Sequence, residues 1–209
     1  MNAVRRNLYE VITKKMSSFI GHSVTGVAIF LYLDRKISER NIMWLAWLIF
    51  LAIFPDTEYV LLWLAGKESE IRFTHSLIFC SLLPIATILY CRLRLCEREY
   101  KTVGIQVFVA GYSHLLLDML VGVSPLPLLW PLNDTLFKLP FGILPSAGRI
   151  DLMNIYFYRN LFIESGILLP VYSLILMKNS VRYSEKRLLT LLHGCILMPF
   201  LIWGISLQR

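Results

Sequence analysis

Six apolar segments divide this chain, at about 18–33, 42–64, 74–91, 103–123, 160–178 and 187–206. A helix needs roughly 20 such residues to cross the hydrocarbon core of a bilayer. Lipid offers no partner for a backbone N–H or C=O, so segments of this kind satisfy their hydrogen bonds internally, as helices. The mean hydropathy of +0.61 and the 17% charged residues fit that solvent better than water, since a soluble domain carries about 25% charged residues. The expected fold is all-α: a polytopic membrane helical bundle of about six transmembrane helices. It forms one integral-membrane domain over residues 1–209, with no internal repeat.

A net charge of +7 raises nucleic acid as a partner. The basic residues, however, fall in short clusters between apolar runs (DRKISER, CRLRLCEREYK, KNSVRYSEK), where membrane topology places them. Membrane lipids are therefore the expected partners, and no nucleic acid is. Residues 1–16 carry Val4, Leu8, Val11, Ile12 and Met16 at helical spacing, flanked by Arg5, Arg6, Lys14 and Lys15. That pattern predicts an amphipathic helix on the membrane surface rather than a cleavable signal peptide. Cys80, Cys91, Cys96 and Cys195 form no CxxC pair and read as free thiols.

A carboxylate at the bilayer centre costs about 2.5–3.5 kcal/mol on insertion scales, so one that persists usually has a partner. Threading the six spans alternately across the membrane brings the polar residues to one level. His22 opens span one on the side of the N-terminus, and Asp56 and Glu58 of FPDTE fall in the same-side part of span two. His75 of RFTHSL opens span three there, and His114 and Asp118 of GYSHLLLDML lie in the last third of span four. The HxxxD spacing sets the last two on one helix face. Basic residues of the opposite side are concentrated in short loops beside span ends, which makes that side cytoplasmic and the site outward-facing.

His22, Asp56, His75, His114 and Asp118 offer imidazole nitrogen and carboxylate oxygen, with no thiolate. Such a set suits a divalent metal, zinc first, then manganese or iron. Glu58 is either a second carboxylate ligand or, like Asp118, a catalytic base beside an activated water. Each residue also has a plainer explanation. His22 follows Gly21 at an interface, His75 sits in a helix opening with Thr74 as N-cap, and Asp56 marks a helix end after Pro55. His114 and Asp118 could share an interhelical hydrogen bond. Four spans decorated on the same side favour the joint site. His193 and Cys195, near the opposite side of span six, read as packing groups, and Glu164 is a reserve candidate. The proline-rich loop 124–159 reads as a structural lid, or as a cover that excludes water or receives a lipid tail.

In order along the chain, GHSVTG, FPDTE, FTHSL, GYSHLLLDML, PLLWPL and FKLP resemble the YdjM-like family of predicted membrane-bound, metal-dependent hydrolases. The resemblance implies a bacterial inner-membrane protein, with His22, Asp56, His75, His114 and Asp118 as metal-site residues. Two departures bear on the metal count. The family's Pro-Asp-Ile-Asp-His appears here as Pro55, Asp56, Thr57, Glu58, Tyr59, and its His-Arg-Gly before Thr-His-Ser as Glu70, Ile71, Arg72. Two imidazoles fewer argue against a two-metal site unless Glu58 and Glu70 replace them. The expected function is membrane-embedded metal-dependent hydrolysis of an ester or phosphoester, including a lipid-linked one. The alternatives are an ion- or proton-handling transport component, which the apolar opposite halves of the spans disfavour, and an accessory protein with a structural metal.

Overall fold

The computed structural model describes residues 18–33, 42–59, 72–93, 100–146, 153–177 and 183–207. Along them run α1 (Phe19–Leu33), α2 (Ile42–Ile53), a 3-10 turn (Phe54–Asp56), a second 3-10 turn (Phe73–His75), α3 (Leu77–Leu93), α4 (Tyr100–Val121), α5 (Ile155–Met177) and α6 (Tyr183–Ser206). The protein is all-α, and the extended pairing among the described residues is an isolated bridge between Leu126 and Phe137. The amphipathic helix expected over 1–16, Glu70, and the loops 34–41, 94–99 and 178–182 lie outside the described residues.

Four helical stretches are long and apolar enough to cross a membrane: Ile42–Tyr59, Tyr100–Val121, Ile155–Met177 and Glu185–Ser206. Phe19–Tyr32 and Leu77–Leu93 are shorter apolar helices. Twenty-two residues at about 1.5 Å each span about 33 Å, close to the thickness of a bilayer core. Leu188, Leu191, Ile196 and Ile202, spread around α6, are each at least 50% exposed. Lipid, not water, is the solvent in which that exposure carries no penalty. Two boundaries differ from expectation. Span two was expected to run as one helix to about 64, but α2 stops at Ile53, where Pro55 brings no N–H and the chain tightens into the 3-10 turn. The helix expected from 74 begins at Leu77, after a separate 3-10 turn and a bend at Ser76.

The described chain forms two compact units. One comprises His22–Leu116 and Pro125–Phe137. Its core joins Ile29 and Phe30 of α1, Leu48 and Leu51 of α2, and Val107 and Ala110 of α4. At Gly26, α1 lies against the α2 backbone: a Cβ there would stand 2.8 Å from Ile49 Cα. In lipid, where apolar burial drives little association, such close approach is what packing depends on. The indole N–H groups are turned inward and satisfied, Trp44 by Gln106 Oε1 at 2.9 Å and Trp47 by Thr87 Oγ1 at 3.1 Å. The loop segment of this unit docks on the start of α3. Leu128 O accepts the Leu77 N–H at 2.9 Å, one of the N-terminal donors a helix cannot satisfy itself. Trp130 packs on Phe73.

The other unit comprises the chain up to Gly21, Leu117–Ser124 and the chain from Lys138. Leu117 and Val121 pack with Leu144 and with Ile163, Ile167 and Leu168 of α5, and Phe200 and Leu201 of α6 close over them. Ser18 is the N-cap of α1, accepting the Gly21 N–H at 2.9 Å, and its hydroxyl donates to Glu164 Oε2. A capping box would place a Glu side chain at Gly21, three residues after the cap. Here a carboxylate from α5 fills that place: a Cβ on Gly21 would lie 2.2 Å from Glu164 Oε1. The reserve candidate Glu164 thus has a structural task. His193, on α6, bridges the Leu189 carbonyl at 2.7 Å and Ser173 Oγ of α5 at 2.8 Å, the contacts of a packing group.

Candidate metal centre

The α2-to-turn switch sets the first donor. With Pro55 in the turn, carbonyls at the end of α2 look for partners elsewhere, and Ala52 O meets His114 Nδ1 at 2.8 Å. Thr57 Oγ1 closes the turn on Phe54 O at 2.7 Å. Asp56, 1% exposed, is carried inward by this turn, and Glu58, 4% exposed, follows on the short helical continuation.

The second 3-10 turn sets His75. Its N–H returns to Arg72 O at 2.9 Å. Ser76, not Thr74, caps α3, accepting the Phe79 N–H at 3.2 Å. Thr74 was expected in that role. Both residue types cap helices well, and the 3-10 geometry leaves the position to Ser76. The Thr74 hydroxyl instead contacts His75 Nδ1 at 3.0 Å. Phe54 and Phe79 stack at 5.2 Å, tying the two turns together.

His22, Asp56, His75 and His114 therefore converge, and all four are buried. His75 Nε2 lies 3.4 Å from Asp56 Oδ1, His114 Nε2 lies 3.5 Å from the same oxygen, and the two Nε2 atoms are 3.3 Å apart. A carbonyl only accepts, so the Ala52 contact assigns the proton of His114 to Nδ1 and leaves Nε2 with its lone pair facing Asp56. The His22 ring stacks on that of His114, centroids 3.9 Å apart. His22, Asp56 and His114 each offer a donor atom within 4.8 Å of the others. Glu58 sits on the outer edge of His75, 3.5 Å from Nδ1, and Tyr59 meets the same ring edge-on. Asp118 stands one turn beyond His114 on α4 and is 5% exposed.

Donors for a metal must be close, mixed and free of competing thiols. The Asp56, His75, His114 triangle has edges of 3.3–3.5 Å. A tetrahedral ion held at about 2.0–2.1 Å has donor–donor edges of about 3.3–3.4 Å. The residues thus fit a zinc-like ion. Sequence patterns contain no signal for the Ala52 carbonyl or the Thr74 hydroxyl, both of which orient imidazoles here.

The family model described as YdjM inner membrane protein matches residues 16–206. No curated protein and no solved structure matches the chain.

Proposed function

The chain belongs to the YdjM inner membrane protein family, and from that premise we propose that it is a membrane-embedded hydrolase dependent on one divalent metal ion. The triangle of Asp56 Oδ1, His75 Nε2 and His114 Nε2 carries this assignment, because three donors of opposite and neutral charge meet at ligand spacing in a buried place. Zinc suits the donor set and spacing best, with manganese or iron next. His22 supplies a neighbouring donor, and Asp118 is a further ligand or a proton acceptor. When bound, the ion supplies Lewis acidity and makes water acidic enough to attack near neutral pH.

The protein's own residues do the rest. Asp56 neutralises charge at the centre, Ala52 O holds His114 in its ligating tautomer, and Asp118 takes a proton from the attacking water. Apolar helices around the cluster exclude bulk water. The substrate is an ester or phosphoester attached to a lipid, since a soluble substrate gains little from a centre among membrane helices. The basic short loops of the opposite side put the site on the outer face of the inner membrane.

The test is turnover of a panel of lipid esters and phosphoesters by the zinc-loaded, detergent-purified full-length protein. Hydrolysis of at least one of them, lost in His75→Ala and in His114→Ala, is expected. A zinc-loaded protein inert towards the whole panel would overturn the hydrolase assignment in favour of a structural metal.

A further inference from the structure

We propose that Glu58 is a positioning residue that fixes the tautomer of His75, and is neither a metal ligand nor the base. The consequence for metal affinity rests on the metal-binding assignment above, but the tautomer itself does not. Two carboxylates flank the His75 ring, Asp56 Oδ1 at 3.4 Å from Nε2 and Glu58 Oε1 at 3.5 Å from Nδ1. The position of His114 distinguishes their roles. Its Nε2 lies 3.3 Å from His75 Nε2, so that edge of the ring faces the donor cluster and the Nδ1 edge faces away.

On the Nδ1 edge, Glu58 spans the 3-10 turn. Its Oε2 accepts the Thr74 N–H at 3.4 Å while Oε1 faces the His75 ring. Thr74 Oγ1, 3.0 Å from Nδ1, can donate or accept. A carboxylate only accepts, and its charge favours an N–H pointing at it. Glu58 therefore decides the matter: Nδ1 carries the proton and Nε2 is left with its lone pair. Among the described residues, Glu58 belongs to no set of three such donors lying within 4.8 Å of one another. His75 thus matches His114, whose Nδ1 is held by the Ala52 carbonyl. Both imidazoles are anchored through Nδ1 and present Nε2 to Asp56, the arrangement by which outer partners tune a metal ligand.

The chain has four histidines, so ring 15N resonances of the histidine-labelled full-length protein in detergent can be assigned by single His→Gln variants. In metal-free wild type, His75 is expected as the Nδ1–H tautomer. In Glu58→Ala that resonance pattern is lost, and zinc affinity, read by chelator competition, falls about 10–100-fold. Glu58→Gln, which keeps an accepting oxygen, restores the tautomer and most of the affinity. Thr74→Val keeps the tautomer, because the carboxylate remains.

An unchanged tautomer in Glu58→Ala overturns the proposal, as does a flipped tautomer in Thr74→Val. Loss of zinc in Glu58→Ala as complete as in Asp56→Ala makes Glu58 a ligand and overturns it too. Should Glu58→Ala not fold, the Gln and Val variants carry the test. A wild type that takes up no zinc refutes the metal assignment, while the metal-free tautomer still decides the role of Glu58.

Discussion

The Nε2 atoms of His75 and His114 face each other across 3.3 Å, with one oxygen of Asp56 beside both. Two imidazole nitrogens come that close when a proton or a cation lies between them. Since Nδ1 of His114 already holds the proton of its ring against Ala52 O, a shared cation accounts for the pair best. The two residues are 39 positions apart in sequence and sit on different elements, so the fold, not chain proximity, sets this distance.

Removing one corner of the triangle should cost more than removing an outer partner. Asp56→Ala and His75→Ala are expected to weaken zinc binding by more than the roughly 10–100-fold typical of outer-shell changes. Chelator competition on purified variants checks this.

Metal should also stabilise the fold, because a centre assembled from separate elements exists only in the folded state. At a free zinc concentration of about 100 times Kd the gain is about 2.7 kcal/mol. For a chain of this size that corresponds to about 5–10 °C in thermal midpoint. Chelation should reverse the shift in wild type and leave the His75→Ala, His114→Ala double variant unmoved.

Gly26→Ala pushes a methyl group against the α2 backbone at Ile49 Cα. A backbone yields less readily than a side chain tip, so a loss of about 1–3 kcal/mol is expected. Thermal unfolding in detergent, followed by circular dichroism, measures it.

Glu164→Ala removes the carboxylate that holds the Ser18 cap. A destabilisation of about 0.5–2 kcal/mol, the size of a lost N-cap, should follow with zinc stoichiometry unchanged. Loss of zinc in this variant would return Glu164 to the list of ligands.

The helices were legible in the sequence because runs of Leu, Ile, Val and Phe of bilayer length leave little choice of structure. The pairing of His114 with Asp118 on one face of α4 was legible from spacing alone. Other features were not. Thr74 and Ser76 are both good caps, and sequence offers no means of choosing between them; the 3-10 turn does so. Glu164 reaches Ser18 across 146 positions, and its place beside Gly21 is a tertiary fact that no local pattern carries. The orienting role of Ala52 is a backbone carbonyl exposed by Pro55, invisible to any reading based on side chains.

Zinc content of the detergent-purified full-length protein tests the central claim most directly. Elemental analysis of wild type, loaded with zinc and freed of excess, should give one zinc per chain. The His75→Ala, His114→Ala double variant should give none, and His193→Ala, which alters the packing histidine, should retain it. A folded wild type without stoichiometric metal under these conditions would contradict the account.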